Sequence, residues 1–439
     1  MPPSDSVNPT SWSDLTGAAV GLWGLGAEGQ ANRRALERRG IVPVIVDDAG
    51  VEGALATDRG GLEALARCDV VIASPGISRY DLRVRSLRAA GVEVTGGLAL
   101  WLAQAPVDRV VCVTGSKGKS TTTSILGHLL AGLGHRVVVG GNLGVPPWLE
   151  EDDADLWVVE VSSYQAADVR TSPGVVAVTS LSPDHLTWHD GDVETYYADK
   201  LRLASQPGAR VTVANGHDPA LAERAHLLGP QVRWVRADDA VPEWVRELGV
   251  VGRHNVVNAL IAGVCLEELG VRADEADLVA AARDFAPLES RLRPIGTVDG
   301  VEFIDDSLST NVLPTAAAVD AMGSRPTALI AGGFDRGIEY APLASHLAAR
   351  DAPTLVLAIP TTGARIADEI AALPEGAGQV EVRRCADLSE AVAAGFDWAR
   401  GRDGGVVLLS PAAASFDHFR DYRHRAEVFA AAMRDCAAE

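Results

Sequence analysis

Short apolar runs broken by glycine-rich turns, and followed by stretches with helical spacing, recur along the chain and set its expected architecture. The first run, at residues 18–23, leads into Gly24-x-Gly26-x-x-Gly29 and then a helical pattern over 31–39. A second run at 42–46 ends on Asp47 and Asp48. Strand, helix and strand in that order make a βαβ unit, and the runs at 70–76 and 91–95 extend the alternation. A new strand-loop-helix begins at 109–115 and continues into a helical pattern over 121–133. Apolar runs at 137–139, 156–161 and 175–179 follow, then a helical stretch at 255–269 and a hinge-like segment at 287–294. A last block carries strands at 301–304, 327–331, 354–358 and 405–409.

The prediction is an α/β protein of three domains. Residues 1–105 form a Rossmann-like N-terminal domain, and its polar, Pro/Ser-rich first 15 residues are expected to be disordered. Residues 106–292 form a central P-loop-type ATPase domain on a mainly parallel sheet, and 293–439 a C-terminal Rossmann-like α/β domain. A chain of 439 residues exceeds what one core usually serves, which agrees with this division.

Charge narrows the ligands. A net charge of −20 repels polyanions, so nucleic acid is not an expected partner and any anionic ligand needs a local cationic cluster. No run approaches the roughly 18 apolar residues of a membrane span, and no signal-like start is present, so a cytoplasmic location without membrane insertion is expected. Five scattered cysteines without CxxC spacing fit reduced, buried thiols. Among 39 Lys and Arg residues, only Lys117, Lys119 and Lys200 are lysine. Guanidinium cannot replace an amine as a compact point charge or as a nucleophile, so lysines kept in an arginine-rich chain mark candidate chemistry.

The turn at Gly24, Gly26 and Gly29, with Asp47 about twenty positions on, has the setting of a dinucleotide fingerprint. Its physics does not separate a nicotinamide cofactor from a UDP-sugar, so an NAD-dependent oxidoreductase and a UDP-sugar-binding protein both remain readings of it. The second loop, Gly115-Ser116-Lys117-Gly118-Lys119-Ser120 followed by Thr121, offers amides to phosphate oxygens, Lys119 to the β- and γ-phosphates, and the Ser120 hydroxyl to Mg2+. Its spacing is shorter than the common Walker form. Glu160, ending an apolar run, is a natural Mg2+ ligand, and His185 offers an imidazole to metal or substrate.

These features lie among ordered motifs across nearly the whole chain. They include Thr114 to Thr121, Gly141-Asn142-Leu143-Gly144, Glu160-Val-Ser-Ser-Tyr-Gln165, Pro183-Asp-His-Leu186, Lys200 and Gly252-x-His-Asn-x-x-Asn258. Arg291, Asp305-Asp306-Ser307, Gly332-Gly333 and Leu409-Ser-Pro411 with Ser415 complete the set. The chain resembles the Mur ligases, and among them the enzymes that add glutamate to UDP-N-acetylmuramoyl-L-alanine. The resemblance implies ATP, two Mg2+ ions and a carbamylated Lys200. Lys119 would serve the phosphates, with Ser120, Glu160, His185 and the Lys200 carbamate as metal ligands. Asn255 or Asn258 would meet adenine, and Arg291 and Asp306 the ribose and phosphates. Asn142, Ser162 and Gln165 would line the muramoyl-alanine path, while Gly24, Gly26, Asp47 and Gly76 would hold UDP. Folate polyglutamylation is the rival within the ligase class.

The third domain departs from the usual D-glutamate-adding pattern, in which Asp-Ser is followed by Lys-Ala-Thr-Asn. Leu308 stands where that pattern has lysine, and Arg336 replaces a point charge by a planar fork. Together with Leu22-Trp23-Gly24 and Ser116-Lys117, these departures are similar to the branch that adds L-glutamate, with a separate epimerase acting later; D-glutamate is the alternative. By motif position, Thr310, Arg336, Ser415 and Tyr422 would grip the glutamate.

Overall fold

A computed structural model describes residues 11–142, 145–149, 154–237, 240–286, 288–335, 337–373, 380–416 and 418–437. Contacts gather the chain into two compact units. The first runs to Leu248 and includes Val257–Phe285; the second comprises Gly249–Val256 and the chain from Ala286 onward.

The first unit contains two sheets. Strands β1 (Val20–Trp23), β2 (Val44–Val46), β3 (Val70–Ala73) and β4 (Glu93–Thr95) form a parallel sheet in the order β2-β1-β3-β4. Strands β5 (Val110–Thr114), β6 (Val137–Gly141), β7 (Leu156–Glu160), β8 (Val175–Val178), β9 (Val211–Asn215) and β10 (Val232–Val235) form the second, in the order β10-β9-β8-β5-β7-β6. It is parallel throughout. β1, β3, β5, β7 and β8 are buried along their whole length, which is what uniformly apolar strands covered on both faces require. One apolar cluster runs from Leu22 and Ile72 of the first sheet through Trp101 and Trp148 to Val159 and Val178 of the second.

The second unit holds β11 (Arg293–Val298), β12 (Val301–Asp305), β13 (Thr327–Ala331), β14 (Thr354–Ala358), β15 (Val380–Arg384) and β16 (Val406–Leu409), in the order β11-β12-β16-β13-β14-β15. Only β11 among these runs antiparallel to its neighbour. Separate apolar clusters cover the two faces, one built on Phe303, Leu357 and Phe429, the other on Ile304, Leu329 and Leu343. The α/β class with mainly parallel sheets is therefore present. Among the described residues, no helix is long and apolar enough to cross a membrane, and all five cysteines are buried outside any disulfide.

The expected disordered lead-in over residues 1–15 needs correction where it is described. Ser13–Leu15 form a 3-10 turn, and Trp12 and Leu15 are both 0% exposed. An apolar pair three positions apart lies on one face of such a turn, and its burial outweighs the polar composition around it. Residues 1–10 lie outside the described residues. A buried ion pair, Arg79 Nη2 to Asp168 Oδ2 at 2.6 Å, ties the loop after β3 to the segment after Gln165. Removing one partner of such a pair leaves an uncompensated buried charge.

In the second unit, Asp306 follows β12 into the interior, where its carboxylate accepts from Ser410 Oγ at 2.7 Å and from the Leu292 amide at 3.2 Å. Burial outweighs these bonds and the nearby Arg291, and raises the carboxyl from its ordinary 3.8 to about 7. Below the unfolded value the group is protonated in both states. Between the two values only the folded chain holds the proton, so this contribution to stability is lost as pH rises through about 7. Equilibrium unfolding followed from pH 5 to 8 should show stability of this unit falling with pH, and Asp306→Asn should flatten that slope.

Candidate active site

β5 lies between β7 and β8, so the segments leaving the C-terminal ends of these three strands converge. The loop after β5 turns at Gly115 (φ 142°) and Gly118 (φ 89°), and the helix Lys119–Gly132 starts immediately afterwards. A Cβ on Gly115 would lie 2.1 Å from Thr179 Oγ1, and one on Gly118 2.6 Å from Asn258 Oδ1. Both positions therefore need glycine for backbone angle and for space. The loop is pinned from β8's side: the Ser116 amide donates to Ser180 O at 2.8 Å and the Lys117 amide to Ser180 Oγ at 2.9 Å. Ser116 Oγ also lies 2.8 Å from Tyr196 Oη. Lys119, Ser120 and Thr121 form the first turn of the helix, the end at which backbone amides and the helix dipole favour an anion.

All three lysines of the chain meet here. Lys119 Nζ and Lys200 Nζ each donate to Gly115 O at 3.0 Å, although Lys200 comes from a separate helix, Val193–Ser205. Lys117 Nζ pairs with Asp184 Oδ2 at 3.0 Å. Lys200 is 2% exposed; burial first, then the charges of Lys119 and Lys117, drives its amine well below the ordinary lysine range. The opposite signs meet on Asp184. Burial pushes its carboxyl up, but Lys117 and His185 together hold it below the usual value. His185, at φ 52°, is held below the ordinary histidine value by burial and by the three lysines, with Asp184 opposing, so its imidazole is neutral near pH 7.

Glu160 ends β7 and is 2% exposed. Its Oε1 accepts from Asn142 Nδ2 at 2.7 Å, whereas Oε2 is buried with no hydrogen-bond partner. An oriented carboxylate with one orphaned oxygen, beside a phosphate loop, fits a divalent cation. Among the described residues no three His, Cys, Asp or Glu side chains gather as a complete metal cage, so the Ser120 hydroxyl, a modified Lys200 and phosphate oxygens would have to supply the remaining donors. Ser162 and Gln165 are committed to a capping box on helix Ser163–Ala166, and Gln165 Nε2 also donates to Glu28 Oε2 at 2.8 Å. Glu28 is a neighbour that sequence reasoning missed; burial raises its carboxyl to about 7, against the Gln165 hydrogen bond and Arg79.

At the C-terminal end of the first sheet, Gly24 turns at φ 89° under Ser74, whose hydroxyl donates to Gly24 O at 2.8 Å. Asp47 Oδ2 accepts from the Leu25 amide at 2.6 Å, and so braces the turn. Gly26 and Gly76 have open space where a Cβ would stand. Beside Asp47 lies a cleft of about 990 Å3 lined in part by Asp48, Thr57, Arg59 and Arg83. Thr57, Arg59 and Arg83 carry no motif and were not found by sequence reasoning, which placed Asp48 only at a strand end.

In the second unit, the loops after β12, β13 and β16 converge because β16 lies between the other two strands. Phe334 bridges Ala414, and Gly333 (φ 146°) lets the backbone pass Ala414 O, which a Cβ would approach to 2.4 Å. Ser415 is buried in this group, Thr310 is half-buried just before the Asn311 cap of helix Val312–Ala321, and Tyr422 opens helix Tyr422–Cys436. Arg336 lies outside the described residues. Asn255 Nδ2 donates to Val251 O at 2.7 Å within the second unit, while Asn258 lies against Gly118 in the first. The two asparagines are thus placed differently, and Arg291 stands beside Asp306 in the second unit.

Residues 113–240 match the model of the Mur ligase middle domain, the stretch that holds the phosphate loop, Glu160, His185 and Lys200. A Micromonospora protein named UDP-N-acetylmuramoyl-L-alanine--L-glutamate ligase is 42% identical, over 97% of this chain and 98% of its own length. A protein of the same name from Salinispora tropica is 41% identical, over 97% and 99%. Among solved structures, the MurF ligase from Thermotoga maritima in complex with ADP shares the fold with a TM-score of 0.54 at 16% identity, covering 95% of each chain. Identity of 41 to 42% along almost the entire length leaves one conclusion: the chain belongs to the Mur ligase family.

Proposed function

We propose that this protein is an ATP-dependent ligase that joins L-glutamate by an amide bond to UDP-N-acetylmuramoyl-L-alanine, in the synthesis of peptidoglycan precursors. The observation that carries the reading is the meeting of Lys117, Lys119 and Lys200 around one glycine loop, beside the orphaned Glu160 Oε2. The names of its near-full-length relatives supply the substrates. ATP lies with its phosphates on Gly115 to Thr121, and Asn255, Asn258, Arg291 and Asp306 serve its nucleoside end. UDP occupies the first-sheet turn at Gly24, Gly26, Asp47 and Gly76, with the neighbouring cleft; Asn142, Ser162 and Gln165 flank the muramoyl-alanine path. Thr310, Arg336, Ser415 and Tyr422 hold glutamate. The cytoplasm is the expected compartment, and a downstream epimerase is the expected companion of an L-glutamate product.

Lys200 is suited to carbamylation because a neutral amine can add to CO2, losing a proton and becoming a carboxylate; its depressed basicity favours that form. When bound, two Mg2+ ions held by Ser120, Glu160, His185 and the Lys200 carbamate would neutralise charge on the phosphoryl group in transit. The alanyl carboxylate attacks the γ-phosphorus, breaking its bond to the bridging oxygen and releasing ADP. Lys119 steadies the charge that builds on the phosphoryl oxygens. Glutamate's amine then attacks the acyl carbon, loses a proton and expels phosphate. An oxidoreductase has no need of the lysine cluster, and folate polyglutamylation would require a pterin instead of the UDP substrate.

Phosphate release with ATP, Mg2+ and UDP-N-acetylmuramoyl-L-alanine should proceed with L-glutamate and run at least about tenfold slower with D-glutamate, since one misplaced group costs about that much. Preference for D-glutamate would reverse the stereochemical assignment, and pterin-dependent release would replace the substrate. Lys200→Ala should lower kcat by roughly 10²-fold or more, the scale of losing a charge-stabilising group, and a short carboxylic acid should restore part of it. Full activity in that variant would exclude the carbamate role.

A further inference from the structure

Segments that the proposed mechanism needs meet on a side chain that it does not use. His189 ends the short turn Leu186–His189, just after Asp184 and His185, and is 0% exposed. Its Nδ1 lies 2.7 Å from Asp199 Oδ2 and its Nε2 3.0 Å from Ser163 Oγ. A carboxylate only accepts, so Nδ1 carries a proton and donates to Asp199, while Nε2 and the Ser163 hydroxyl share the second hydrogen bond. Asp199 immediately precedes Lys200 on its helix, and Ser163 opens the helix that follows Glu160 and β7. His189 therefore bridges the element bearing the metal-fitting carboxylate and the element bearing the buried lysine.

The chain of contacts continues to the first sheet. Tyr80 Oη donates to Asp199 Oδ1 and Oδ2 at 3.0 and 2.9 Å. Tyr80 lies on the loop after β3, the same loop whose Pro75 O accepts from Trp188 Nε1 at 2.8 Å. Ser78 Oγ donates to Trp188 O, and Trp188 stacks on Tyr164 with ring centroids 4.7 Å apart. The loop assigned to the UDP substrate is thus wired to both ends of the His189 bridge. Ser163, His189 and Asp199 have the order of a nucleophile, a base and an orienting acid. Ser163 is only 3% exposed, however, so the arrangement holds position instead of presenting a nucleophile.

We propose that His189 is a positioning residue that clamps the Glu160 strand end to the Lys200 helix, and that the Tyr80–Asp199 hydrogen bond links this clamp to the loop at 74–80, so that UDP-substrate and nucleotide binding strengthen each other. The inference rests on the sites assigned above to those two ligands. Two sites that bias one shared frame must show reciprocal coupling.

The test is equilibrium binding of UDP-N-acetylmuramoyl-L-alanine and of a non-hydrolysable ATP analogue with Mg2+, each alone and with the other present, on the full chain. The native protein should bind either ligand about tenfold more tightly when the other is bound, within the usual range of such coupling. Tyr80→Phe removes one hydroxyl and keeps the ring; it should bind each ligand alone within about twofold of native, with coupling reduced below about twofold. Adding His189→Ala to Tyr80→Phe should lower coupling no further than either change alone, because residues on one relay are not additive. Undiminished coupling in Tyr80→Phe, absence of coupling in the native protein, or losses that add would each overturn the relay. If His189→Ala fails to fold, Tyr80→Phe alone decides. Failure of the native protein to bind the UDP substrate at all would overturn the functional reading, and the relay with it; intact binding without coupling would overturn the relay only.

Discussion

Two amines share one backbone carbonyl. Lys119 and Lys200, from different helices, both reach Gly115 O at 3.0 Å, and Lys117 stands close by on Asp184. Ammonium groups this close repel strongly in a water-poor setting, so they remain together only if one gives up its proton or an anion joins them. Both outcomes are built in. Lys200 is the buried member, and burial acts with the neighbouring charges to weaken its hold on the proton. Lys119 begins a helix whose first amides also seek an anion. In a chain of net charge −20, this is where a polyphosphate has reason to bind.

Sheet topology explains why these groups meet although the sequence separates them. In each sheet, neighbouring parallel strands end side by side, and loops at their C-terminal ends share one crevice. β5, with β7 and β8 on its flanks, brings the phosphate loop to Glu160 and to Asp184; β1, with β2 and β3, brings Gly24 to Asp47 and Ser74. β16, between β12 and β13, does the same for Asp306, Gly333 and Ser415. The three crevices serve the three reactants in the proposed function.

Central strands such as β5, β7 and β8 were legible in the sequence because strands covered on both faces must be apolar at every position. The edge strands β10, β11 and β15 were not. β15 reads Val-Glu-Val-Arg-Arg and is exposed over most of its length, β10 carries Arg233, and β11 contains Pro294 and a register shift before Gly296. Edges keep charges, proline and bulges that hide them from pattern reading. The lysines were legible through their scarcity. The pairings around them were not, because Asn142 on Glu160, Tyr196 on Ser116 and Asp199 on His189 are contacts that only the folded chain creates. The Asp48 cleft and buried Glu28 escaped notice for the same reason.

The central claim is that the lysine-lined loop drives transfer of a phosphoryl group to the substrate's carboxylate. Its most direct test follows oxygen: UDP-N-acetylmuramoyl-L-alanine with 18O at both oxygens of the alanyl carboxylate is turned over with ATP and L-glutamate, and the released phosphate is analysed by mass. An acyl phosphate requires the attacking carboxylate oxygen to leave with phosphorus, so each phosphate should carry one 18O. Unlabelled phosphate, formed while the amide product accumulates, would contradict the account.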